Sequence, residues 1–321
     1  MNKVLRTILF FFLGLLFLLP LFFLIGKEGW EKIWMANLLY LGLFFLASLI
    51  FWGIDSLRWR IILDALAHKK VTGIWNYFVT YAISAALGQF VSQLGGFFIA
   101  RPSIMKQRYE LSYKISVFSS IIEKSADLYF VTLLLIPGLL FFFVLDNINQ
   151  ILLATVLSIG IGFILYGLFA HKYTLIVSKA YFLFKKKQRQ MSFKQFFREQ
   201  NHFKMNYWII GLWSVLRYIP LFMRVWFLTL AFGITIPLLF LFFGLPVSQL
   251  TMVFAITPGA MGFLEGGWFA VLNMANINQN DIALFLLGQR AVLILFSSIT
   301  LLFLTFGYPR FFKSIFKVNR P

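Results

Sequence analysis

Glu123, Lys124 and Asp127 fall inside an otherwise apolar run over residues 115–143. An ionisable side chain at mid-membrane costs about 2.5–3.5 kcal/mol on insertion scales, so each needs a partner or a task. Glu123 and Asp127 are four residues apart and share one face of a helix. Arg217 and Arg224 sit seven apart in a second apolar run, 207–232, also on one face, and Pro220 between them is placed to kink it. Glu265 and Arg290 extend the pattern towards the C-terminus. Such charges have two uses. They can neutralise one another, Glu123 or Asp127 against Arg217 or Arg224 and Glu265 against Arg290. Alternatively, a guanidinium, planar and always charged, can leave its carboxylate for a phosphate while the carboxylates carry protons. The sequence leaves both uses open. Asp55, just before Arg58-Trp59-Arg60, reads as an interfacial residue.

Two glycine-rich breaks interrupt the apolar stretches close to these charges. Gly88, Gly95 and Gly96 form the first, followed by Arg101, and Pro258, Gly259 and Gly262 form the second, followed by Glu265. Lipid tolerates non-helical backbone only where protein or a wet cavity satisfies its N–H and C=O groups. Broken helices at membrane depth therefore suggest a binding site of the kind transporters use.

The elements that must position these residues are membrane helices. The chain is 60% hydrophobic and 12% charged, with mean hydropathy +0.84, and several runs reach the ~20 apolar residues that cross a bilayer. It has no cysteine, which excludes disulfides and thiolate chemistry, and His68, His171 and His202 lack metal-ligand spacing. No metal or other cofactor is expected. The net charge of +18 fits a positive-inside bias and anionic headgroups better than a nucleic-acid partner.

The charges predict an all-α polytopic membrane protein forming a single integral domain over 1–321. Two N-terminal spans occupy 1–57, the first retained as a helix near 5–25 and not cleaved. An interfacial segment follows over 58–74, then a re-entrant hairpin over 75–100. Two spans fill 115–170, and a basic cytoplasmic segment covers 171–206, with a second surface helix over 178–203. A span over 207–232, a second re-entrant hairpin over 234–275 and a last span over 282–307 complete about six full crossings. Both termini are expected in the cytoplasm. One hairpin then enters from the cytoplasm and the other from outside, the opposed arrangement of inverted-repeat transporters. Gly42, Gly160, Gly162 and Gly167 could allow close helix contacts within one chain or between two copies.

Three stretches together resemble a known family, the membrane flippase domain of lysylphosphatidylglycerol synthetases and the standalone flippase-like proteins related to it. They are Leu57-Arg58-Trp59-Arg60, then Glu123-Lys124-Ser125-Ala126-Asp127 preceded by Arg101, then Pro258 to Glu265 with Arg290 about one span further on. The resemblance covers roughly residues 40 to 305. It departs in the first break, where family members often carry Pro and an acid and this chain has Ser92-Gln93-Leu94-Gly95-Gly96. The soluble aminoacyl-transferase domain has no counterpart here, so lipid aminoacylation is not implied. What the resemblance does imply is movement of a polar or charged lipid between leaflets of a bacterial or archaeal cytoplasmic membrane.

Residues and resemblance together lead to an expected lipid translocase for a polar-headgroup phospholipid or a polyprenyl-phosphate-linked lipid. Arg217, Arg224 and Arg290 would bind headgroup phosphate, with Arg101 at the cytoplasmic entrance. Glu123, Lys124, Asp127 and Glu265 would balance charge or carry protons. Two alternatives stand beside it. One is a non-transporting membrane partner of a lipid-modifying or glycan-assembly enzyme. The other is a membrane glycosyl- or aminoacyl-lipid enzyme using Glu123 and Asp127 as an acid–base pair, although no Asp-x-Asp pair, Ser/His/Asp set or Walker-type loop supports it.

Overall fold

Backbone polar groups in lipid must be satisfied within their own segment, which is why the chain resolves into helices. The computed structural model describes residues 26–90, 92–143, 147–183, 205–253 and 257–309, and no strand occurs among them. A short helix α1 (Gly26–Trp34) leads into α2 (Leu38–Ala67), α3 (Ile74–Phe90), α4 (Gln93–Gly95) and α5 (Arg101–Tyr109). There follow α6 (Tyr113–Phe143), α7 (Ile148–Leu183), α8 (Tyr207–Leu216), α9 (Tyr218–Ala231), α10 (Leu238–Val253), α11 (Phe263–Met274) and α12 (Gln279–Gly307). Five stretches among the described residues are long and apolar enough to cross a membrane: α2, α6, 148–170 within α7, the α8–α9 pair, and α12. The predicted first span over 5–25 and most of the predicted surface helix over 178–203 lie outside the described residues.

These helices differ in how they are enclosed. The apolar window of α12 is 72% buried within the protein and that of α7 only 22%, so α12 runs through the centre while α7 presents Leu153, Val156 and Leu168 outward. Gly162 and Gly167 serve contacts inside the chain, against Leu133 and Trp208, while Gly42 and Gly160 face open space.

α2 corrects the predicted boundary at residue 57. Asn37 caps its start by accepting the Leu39 N–H at 3.0 Å, and the helix runs on until His68 takes a left-handed φ of 52°. The segment 58–67 is therefore no separate interfacial helix. Arg58, Trp59, Ile62, Leu63 and Leu66 are all buried. The Trp59 indole donates to Ser119 Oγ at 2.9 Å, and Arg58 finds carboxylates, so both polar groups can leave water.

Both glycine-rich breaks turn the chain back on itself. After α3, Ser92 caps α4 by accepting the Gly95 N–H at 2.9 Å. The chain continues through a π-helical turn (Gly96–Ala100) directly into α5. The returning leg therefore extends to Tyr109, beyond the predicted end at 100, and buries Arg101, Pro102, Ile104 and Met105. It lies against α3 because Gly96 meets Gly88: a Cβ on Gly96 would stand 3.1 Å from the Gly88 Cα and strike the Ser84 carbonyl. The second hairpin joins α10 to α11 through a 3₁₀ turn (Pro258–Ala260) with φ of 57° at Gly259 and 85° at Gly262. The two tips touch, since a Cβ on Gly259 would fall 2.8 Å from the Gln89 carbonyl.

Gly96→Ala is expected to lower stability by about 1–3 kcal/mol through overpacking against backbone. Gly53→Ala, whose Cβ would meet nothing within 4 Å, should leave it unchanged or raised. Melting temperatures of the two purified variants in detergent check this.

Candidate functional site

α2, α5, α6 and the α8–α9 junction bring their charges to one place. Arg58 is at its centre, with its side chain completely buried. Its Nη2 lies 3.1 Å from Asp55 Oδ1 and 3.4 Å from Glu123 Oε1. Its Nη1 lies 2.7 Å from Asp127 Oδ1 and donates to Ser214 Oγ at 2.8 Å. Asp55 also pairs with Arg217 Nε at 3.0 Å and accepts from the Tyr81 hydroxyl at 2.6 Å. Asp127 pairs with Arg217 Nη1, and with Lys124 Nζ at 2.9 Å.

Arg101 enters the cluster from the far side through an ion pair of 2.5 Å with Glu123 Oε2. Its Nε and Nη2 have no hydrogen-bond acceptor among the described residues. The guanidinium lies instead within 4.4 to 4.7 Å of the ring centroids of Trp59, Phe97 and Tyr81, and those π faces supply the attraction.

Arg217 owes its position to a break. α8 ends and α9 begins at this residue, and Pro220, in the first turn of α9, lacks the N–H that would have continued the ladder. Two turns beyond Arg217 along α9 is Arg224. It has no carboxylate partner among the described residues and rests over Phe51 and Phe44, at 5.3 and 5.8 Å from the ring centroids.

The cluster opens on a cavity of ≈ 280 Å³. Lys124, Asp127, Arg217 and Arg224 line it, together with Tyr81, Phe97, Trp52 and the amides of both hairpin tips. Sequence reasoning named all four of these charged residues, and the structure brings them to one wall.

Glu265 and Arg290 lie elsewhere. Arg290 Nε donates to Glu265 Oε1 at 2.8 Å, and Nη2 reaches the same oxygen. Its Nη1 donates to the Gly259 carbonyl at 2.8 Å. Glu265 Oε2 accepts the Gly262 N–H at 2.8 Å, capping α11. This pair latches the second turn to α12, and neither residue lines the cavity.

The same order of stretches defines a family. The family model described as lysylphosphatidylglycerol synthase TM region matches residues 7–300. The chain belongs to this family. No curated protein and no solved structure matches it. Family membership associates the chain with membrane-lipid function, and its long apolar helices make it a multi-pass membrane protein.

Within this family member two sequence expectations need correction. Asp55 is fully buried and pairs with two arginines, and so is not interfacial. Arg101 is fully enclosed, and so is not at an entrance. Sequence reasoning also missed Arg58 as the hub. The available signal was its spacing from Asp55, three residues on one helix face, which marks a pair that can be buried together.

Glu123→Ala strands Arg101 and is expected to cost about 3–5 kcal/mol, the usual penalty for leaving a buried charge unpaired. Replacing both by methionine should recover much of that loss. Chemical unfolding in detergent micelles measures both variants.

Proposed function

We propose that the protein is a lipid translocase that moves a polar-headgroup lipid between the leaflets of a cytoplasmic membrane. The observation that carries this reading is the surplus guanidinium of Arg224 on the cavity wall, beside Arg217 and Lys124, which share one carboxylate. A phosphate is the natural partner for such a surplus, because a guanidinium binds it through paired, charge-assisted hydrogen bonds. The family's name associates it with a phosphatidylglycerol derivative, whose headgroup joins that phosphate to a polar group.

In this reading the two hairpins are re-entrant. Following the charge bias, the leg 74–109 opens towards the cytoplasm and the leg 238–274 towards the other side, and both termini lie in the cytoplasm. Their touching tips at Gln89 and Gly259 both line the cavity between them. The headgroup exchanges with Asp127 for Arg217 and Lys124, and the acyl or prenyl chains stay between helices in the bilayer. Arg290 and Glu265 keep the second tip folded and do not meet the lipid. No covalent step is required, so the protein acts as a carrier and not as an enzyme.

Arg224→Ala should slow leaflet transfer of a labelled anionic phospholipid in liposomes by at least about tenfold, the worth of one charge-assisted contact, with an unchanged melting temperature. Arg290→Ala should instead lower the melting temperature. Wild-type transfer rates in both Arg224→Ala and Arg217→Ala would leave a non-transporting partner role as the better account.

A further inference from the structure

The charges that line the cavity do not balance. Lys124, Arg217 and Arg224 stand against Asp127 alone. Widening the view to the buried layer behind adds Arg58 and Arg101 and, opposite them, Asp55 and Glu123. Either way cations exceed carboxylates by two among the described residues. The one carboxylate on the wall is also saturated, held by Arg58, Lys124 and Arg217. An incoming ammonium group finds no free carboxylate and meets like charge, in a setting where low dielectric enlarges the repulsion. A lysyl ester of phosphatidylglycerol brings two ammonium groups and one phosphodiester, a net positive charge.

The rest of the polar lining is amide. Gln89 on α3, Gln93 on α4, Gln249 on α10 and Gln289 on α12 converge on the cavity from both hairpins and the central helix. None of the four side chains makes a hydrogen bond among the described residues. Gln89 Oε1 is buried with no partner, and Gln289 is only 4% exposed. Gln289 is buried and Gln89, Gln93 and Gln249 are half-buried; buried polar atoms such as Gln89 Oε1 normally find partners, which points to a polar group in the cavity. An amide offers donor and acceptor side by side, the same pair that a hydroxyl offers in return.

We infer that the cavity selects a lipid whose headgroup carries net negative charge and several hydroxyls, and that it rejects the cationic lysyl lipid after which the family is called. The inference rests on the translocase reading above. The phosphate takes Arg224, Arg217 and Lys124, and the hydroxyls of a glycerol or a sugar take the four glutamines. Aromatic walls from Phe97, Tyr81 and Trp52 flank the polar strip and suit the flat apolar faces of a sugar ring.

The test uses the full chain in phosphatidylcholine nanodiscs doped in turn with phosphatidylglycerol, lysylphosphatidylglycerol, polyprenyl phosphate and hexosyl polyprenyl phosphate. Native mass spectrometry counts the lipid retained. Phosphatidylglycerol should be retained at least about tenfold over its lysyl ester, the discrimination expected of one misplaced charge in a desolvated site. Arg224→Gln should erase that preference and Arg224→Lys should restore part of it. Gln89→Leu with Gln289→Leu should bring the hexosyl lipid down to the level of plain polyprenyl phosphate, leaving the latter unchanged. If phosphatidylglycerol depends on these glutamines and the hexosyl lipid does not, the hydroxyls recognised are those of glycerol; the reverse result assigns a sugar. Equal retention of the lysyl ester overturns the charge assignment. Unchanged retention of both hydroxylated lipids in the double variant overturns the hydroxyl assignment. Preference intact but no leaflet transfer in liposomes would remove the translocase reading and leave the binding inference standing.

Discussion

The pairing of Arg58 with three carboxylates is the constraint on which the rest of the fold depends. A guanidinium cannot shed its proton, so it enters the apolar interior only where opposite charge already waits. Asp55 waits one helical turn back, and Glu123 and Asp127 wait on α6. α2 must therefore lie along α6 in one register. The same carboxylates then recruit Arg217 from the α8–α9 junction and Arg101 from the first hairpin. Four separate parts of the chain are fixed by charges that no single part could bury alone. Hydrophobic burial supplies little of this specificity in lipid, where the surroundings are as apolar as the helices.

The two ion-pair systems do different work. The Arg290–Glu265 pair is closed: each partner spends its remaining hydrogen bonds on backbone at the second turn. A closed pair holds a shape. The Arg58 system is open on one side, where Asp127 is shared among three cations and Arg224 has no carboxylate. An open system with surplus charge can exchange partners. This difference in connectivity, more than the residue types, separates the positions that hold the structure from those proposed to meet a ligand.

Much of this was legible in the sequence. Apolar runs located the membrane-crossing helices, glycine and proline located both turns, and isolated ionisable residues located the cavity wall at Lys124, Asp127, Arg217 and Arg224. The failures share one cause. Arg58 and Asp55 were read as the end of a span because each is costly alone in lipid, and a residue-by-residue price does not see that the two cancel when they share a face. Arg101 reads as a cytoplasmic entrance residue for the same reason. Of its three aromatic neighbours, Phe97 lies one turn back, while Trp59 and Tyr81 come from elements brought near it only by folding. Arg290 reads as a phosphate ligand in the sequence but does not line the cavity, because a pair that grips backbone and a pair that grips a ligand have the same composition.

Arg217 occupies the single residue between α8 and α9, and it is also the cation shared by Asp55 and Asp127. Its Cα is therefore the pivot of a broken helix while its side chain is the pin through that pivot. In the proposed carrier, drawing the pin out towards an anion would release the hold of Asp55 and Asp127 on both halves at once. Binding of an anion and loosening of this joint would therefore act through one residue.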